Sequence, residues 1–235
     1  MSGLLTAASI AVLLSLAIYG AALAWAAPRP EWPLLAALVA VALPLSWLTY
    51  HVIRTPLNAG ATVALGPEQV RWLWPFYAPL TEEPAKLLPF LAPWLARRVD
   101  RANAVRAGVA LGLGFGIGEI ALVVGLVRTG PGVGGAPWWQ FTGLISERFM
   151  VCLVHGAFTA TALLVWRSRK GLARGLAAAM ALHFVANLPV LLVPMLVADP
   201  AQRGAVISVW LLLFWGAAIV WLLVLGRRAA AKAEA

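Results

Sequence analysis

Four stretches of this 235-residue chain set ionisable side chains into otherwise apolar sequence. The first is Thr81-Glu82-Glu83-Pro84-Ala85-Lys86, and the others hold Glu119, Glu147-Arg148 with His155, and His183 with Asn187. A charge deep in a membrane helix costs several kcal/mol, so it is rarely kept without a partner or a task. Carboxylates and imidazoles brought together exchange protons, bind metals, or pair to fix helix packing. Helical spacing groups them further. Glu82 and Lys86 lie four apart on one face, as do His183 and Asn187. Phe115 and Glu119 share a face with Gly112, which leaves room beside the carboxylate. His155 follows Arg148 by seven and Cys152 by three, and it faces the same way as Thr159.

The elements that must position these groups are membrane spans. Sixty-two per cent of the chain is hydrophobic and 11 per cent charged, against roughly 25 per cent charged in soluble domains. The expected fold is all-α, a polytopic transmembrane bundle of about seven spans forming one domain over residues 1–235. The spans read as residues 4–26, 32–53, 72–96, 107–127, 138–166, 176–197 and 204–225. Pro28, Pro30 and Pro33 separate the first two. Residues 54–71 read as a polar connection with room for a short interfacial helix, and 129–137 as a Gly-rich loop. The first stretch lacks the basic start of a signal peptide and counts as a span. Tryptophans 25, 32, 72, 138, 139 and 166 fall near span ends, where aromatic belts form.

Loops after the first, third and fifth spans, with the C-terminal tail that includes Arg227, Arg228 and Lys232, carry twelve Lys and Arg. The opposite side carries four: Arg54, Arg71, Arg128 and Arg203. The positive-inside rule then places the C-terminus in the cytoplasm. The net charge of +9 follows from the same loops and does not indicate nucleic acid. Counted from the outer span ends, Glu82 and Glu83 sit roughly 16 Å deep and Glu119 and Glu147 roughly 14 Å. Asn187, His155 and His183 fall at a similar or somewhat greater depth. Four spans thus bring polar groups to one band.

These residues resemble a known family. Glu82-Glu83-Pro-Ala-Lys86, Gly114-Phe115-Gly-Ile-Gly-Glu119, Glu147-Arg148 through His155-Gly-Ala-Phe-Thr159, and His183-Phe-Val-Ala-Asn187 look like the four motifs of the PrsW family, within the superfamily of intramembrane proteases that includes the CAAX prenyl proteases. The likeness covers about residues 72–195. It implies hydrolysis of peptide bonds in membrane-anchored proteins, such as an anti-sigma factor, at a prokaryotic plasma membrane. A glutamate of the Glu82-Glu83 pair would be the general base on a water. His183 and Asn187 would stabilise the oxyanion, and His155 or Glu119 would orient the water. In the CAAX prenyl proteases a basic residue follows the second glutamate by four, whereas Lys86 follows Glu82 by four and Glu83 by three. Neutralisation by Lys86 leaves Glu83 the freer base, while analogy assigns that role to Glu82.

The chemistry stands without the name. Hydrolysis of an amide needs an activated water and donors for the oxyanion, and a carboxylate withdrawn from bulk water is a competent base. No cofactor is expected. The close variant is a zinc enzyme with His155, His183 and Glu119 as ligands, although no His-Glu-x-x-His sequence supports it. A proton-coupled transporter is the alternative from another class, but neither internal repeats nor paired broken helices mark the sequence. Glycines 108, 112, 114, 116 and 118 read as a helix-packing face rather than a phosphate loop.

Overall fold

The computed structural model describes residues 2–230, and within them the chain is helical with no strand. Lys232 of the basic tail lies outside the described residues. Helix α1 is Gly3–Ala26 and α2 is Arg29–Leu65. Two short helices follow, α3 at Trp74–Leu87 and α4 at Pro93–Arg98. Then come α5 at Ala104–Val127, α6 at Trp138–Ser168, α7 at Leu172–Leu196 and α8 at Pro200–Ala230. Six of these, all but α3 and α4, are long and apolar enough to cross a membrane. Large apolar side chains such as Leu13, Val63, Leu213 and Leu223 stand exposed on the outer faces, the surface of an integral membrane protein facing lipid.

Two expectations change. Residues 72–96 do not form one span: α3 stops at Leu87, a 3-10 turn covers Leu88–Leu91, and α4 starts anew at Pro93. Proline lacks an amide hydrogen and clashes with the preceding turn, and Pro84, Pro89 and Pro93 recur at intervals too short for an unbroken helix. The segment still leads from α2, where Trp74 Nε1 donates to Asn58 Oδ1 at 3.3 Å, to the bundle end where Arg167 donates to the Ala96 carbonyl. Residues 54–71 do hold helix, but mainly as a continuation of α2 rather than as a separate short one. Helix α2 continues through a π turn at Thr49–Arg54 to Leu65, with Pro56 in the first turn of the continuation, where its missing amide costs least. The break comes at Gly66, whose φ of 84° is open to glycine.

Helix α5 is the centre of the bundle, and its glycines set the spacing. A Cβ at Gly108, Gly112 or Gly116 would strike the backbone of Ala160, Gly156 or Cys152 on α6. One at Gly114 or Gly118 would strike Val39 or Leu43 on α2. Lipid supplies no hydrophobic force between helices, so close backbone approach is what holds them. Gly112 therefore serves helix contact rather than leaving space beside Glu119. Arg106 clamps the two helix starts by donating to both carboxylate oxygens of Glu31 at 2.8 and 2.6 Å. Helix α8 buries little, and three indoles attach it. Trp210 donates to the Ala186 carbonyl, Trp215 to the Tyr19 hydroxyl and Trp221 to Thr161 Oγ1, at 2.9, 3.1 and 2.8 Å.

Candidate active site

Helix α3 owes its place to its charges. Glu82, Glu83 and Lys86 are all buried, and the Lys86 side chain is fully shielded. Such charges are tolerated only when paired and hydrogen-bonded. Neighbouring residues on a helix point about 100° apart, so the two glutamates face different partners. Glu83 turns inward, where its Oε1 accepts from Lys86 Nζ and from His183 Nδ1, each at 2.6 Å. Lys86 thus pairs with Glu83 and not with Glu82, as i,i+4 spacing had suggested; Pro79 and Pro84 within α3 alter its turn geometry.

Glu82 turns toward a cavity of about 480 Å³ that His183, Asn187, Glu119, Glu147, Arg148 and His155 also line. Its Oε1 accepts from Arg54 Nη1 at 2.7 Å, a contact from α2. Its Oε2 is buried without a hydrogen-bond partner among the described residues and lies 3.9 Å from His183 Nε2. Of the six residues picked from the sequence as catalytic, only Glu83 is off the cavity wall, directly behind His183.

The partners fix the proton positions. A lysine ammonium only donates, so His155 Nδ1 accepts from Lys86 Nζ at 2.8 Å, and Nε2 carries the hydrogen given to Glu119 Oε2 at 3.1 Å. Lys86 Nζ also stands 4.8 Å from the Phe115 ring centre, a cation–π contact in a dry setting. His183 donates through Nδ1 to Glu83, which turns Nε2 toward Glu82 and the cavity. Arg148 lies 3.2 Å from Glu119 Oε2 through Nη1, while its Nε and Nη2 grip both oxygens of Glu147. Asn187 is half-buried on the cavity wall.

A zinc site does not fit this arrangement. His155 uses one ring nitrogen on Lys86 and the other on Glu119, and Glu119 itself is held by Arg148. Ligand atoms of Glu82, His155 and His183 do lie within 4.8 Å of one another. Recruiting His155 there would break one of those bonds and set a dication against the Lys86 ammonium. Without it only two protein ligands remain, one fewer than a catalytic zinc takes.

Arg54 is the site residue that the sequence reading missed. The Thr-Pro-Leu-Asn-Ala-Gly that follows it reads as part of a polar connection. The usable signal was an unbroken absence of helix-stopping pairs until Gly66-Pro67.

Fold and site together define a polytopic α-helical membrane protein with a connected acid–base cluster beside a cavity. The chain matches no protein-family model, curated protein or solved structure with which it was compared.

Proposed function

We propose that this protein is an intramembrane endopeptidase of glutamic type that cleaves membrane-anchored proteins. The observation that carries the reading is Glu82 Oε2, a buried carboxylate oxygen without a partner, on a cavity wall beside His183 Nε2. A water between these two atoms loses a proton to Glu82 and attacks the scissile carbonyl carbon. General-base assistance of this kind contributes about 10²–10⁴-fold. Glu83 acts through His183, holding its ring so that Nε2 faces Glu82. Arg54 fixes the other oxygen of the base. Phe158, Trp210 and Phe214 also line the cavity, and they suit the apolar side chains of a membrane segment.

The PrsW-like order of motifs supports the same reading, and with it a prokaryotic plasma membrane, a cytoplasmic C-terminus and an anti-sigma factor as one class of substrate. The donor set favours metal-independent hydrolysis. The test is cleavage of single-span membrane proteins in liposomes by wild type, Glu82→Gln and Glu83→Gln, with and without chelator. Product from wild type, none from Glu82→Gln and indifference to chelator support the proposal. No product from any substrate removes it.

A proton-coupled transporter is the second reading, and a different observation favours it. Contacts run unbroken from Glu83 through Lys86, His155 and Glu119 to Arg148 and Glu147, and such chains relay protons in transporters. Proton uptake into vesicles that is lost with Glu119→Gln would support that role.

A further inference from the structure

Three buried polar atoms without a hydrogen-bond partner lie on residues of the cavity wall, among the described residues: Glu82 Oε2, the Tyr77 hydroxyl and Arg148 Nη1. The carboxylate oxygen accepts, the guanidinium nitrogen donates, and the hydroxyl can donate. Buried polar groups are nearly always satisfied, so unpaired ones on a single cavity point to what that cavity receives. An attacked amide has the complementary demand. Its water needs an acceptor, and its carbonyl oxygen, as it gains charge, needs donors.

We propose that Arg148 Nη1 and the Tyr77 hydroxyl receive the scissile carbonyl oxygen, making both catalytic residues. This rests on the glutamic-protease reading. The resemblance implies His183 and Asn187 for that role, but Nδ1 of His183 is taken up by Glu83 and its Nε2 faces the carboxylate of Glu82. Asn187 remains on the wall as a lesser contributor. Arg148 is suited to the task because Glu147 grips its Nε and Nη2, which fixes the guanidinium plane before substrate arrives. Its Nη1 forms an ion pair with Glu119 Oε2 at 3.2 Å that lacks hydrogen-bond geometry, so the Nη1 hydrogens stay open to an incoming oxygen. Tyr77 stands five residues before Glu82 on α3, so acceptor and second donor are delivered by one helix.

The step balances as follows. Water gives one proton to Glu82 Oε2, and its oxygen bonds to the carbonyl carbon. The carbonyl π pair moves to the oxygen, which the two donors hold. Collapse re-forms the carbonyl, breaks the carbon–nitrogen bond and passes the proton from Glu82 to the departing amine.

The test uses the full chain in phosphatidylethanolamine and phosphatidylglycerol liposomes, with single-span membrane proteins of both orientations as substrates and the cut bond located by mass spectrometry. Tyr77→Phe, Arg148→Lys and Arg148→Gln are then compared with wild type on the cleaved substrate and on its thioamide form at that bond. Removal of one oxyanion donor lowers kcat about 10²–10³-fold, with KM changed less than about threefold, because the interaction forms mainly in the transition state. Sulfur accepts hydrogen bonds poorly, so the thioamide slows wild type strongly and the variants less. A structural role does not produce that interaction between enzyme and substrate changes. Wild-type kcat in a folded variant, or a thioamide effect equal in wild type and variants, overturns the proposal. If Arg148→Gln does not fold, Tyr77→Phe and Arg148→Lys carry the comparison. Failure of wild type to cut any substrate overturns the protease reading instead, and is distinguishable because no variant is then needed.

Discussion

Lys86 Nζ stands 2.8 Å from Nδ1 of His155, a residue 69 positions later in the chain. One lysine thereby joins α3 to α6 and, through Glu83 and His183, to α7. It is an internal cation at the centre of the cluster, and it decides which nitrogen of His155 carries hydrogen.

Replacing Lys86 by Met keeps much of the side-chain volume and removes the charge. Breaking a buried pair on one side costs about 3–5 kcal/mol, because the other charge is left uncompensated. The expected result is a marked loss of stability in detergent, measured by denaturant unfolding. Adding Glu83→Gln to Lys86→Met should recover part of that loss, whereas independent roles would make the two losses add.

Glu82→Gln is expected to lower cleavage by about 10²–10⁴-fold, with a smaller fall in melting temperature than Glu83→Gln, since it gives up one ion pair, to the partly exposed Arg54, rather than two fully buried contacts. Glu83→Gln should lower both activity and stability, because it releases Lys86 and His183 together. Paired activity and melting measurements check this contrast.

Arg54→Ala frees the carboxylate of Glu82 to turn away from the cavity. A misplacement of about 1 Å can cost on the order of 10²-fold in rate. Arg54→Lys should restore part of kcat, and the same restoration should be absent in a Glu82→Gln background.

Gly112→Ala places a methyl against the Gly156 backbone, one residue from His155, and should reduce both stability and activity by parting α5 from α6. Gly125→Ala on the same helix meets nothing within 4 Å. It should be neutral or slightly stabilising, since alanine is the better helix former. Thermal unfolding of the two variants separates packing from composition.

Much of this arrangement was legible in the sequence, because insertion into lipid makes charge conspicuous. Glu82, Glu119, His155 and His183 could be placed in one band from span ends and helical rise alone. The Gly108-Gly112-Gly116 face could likewise be read as packing. Two things were not legible. Which glutamate Lys86 meets depends on a few tens of degrees of helix rotation, and the prolines of α3 shift that angle in a way spacing cannot express. Arg54 belongs to a helix whose continuation past Pro56 looks polar and loop-like, although Pro in a first turn is no obstacle to a helix. The division of residues 72–96 into α3 and α4 was written in Pro84, Pro89 and Pro93, but the apolar run around them concealed it.

The shortness of α3 bears on how the protein is made. A segment of 14 residues that holds two glutamates and a lysine has little tendency to remain in lipid alone. Its counter-charges and hydrogen-bond partners on α6 and α7 are synthesised later, up to His183. The segment is therefore expected to wait at the translocon or the membrane surface until those helices arrive. The cavity cannot close around Glu82 before the ribosome has passed Phe214, the last residue of its lining, so an unfinished chain carries the glutamates but no working pocket.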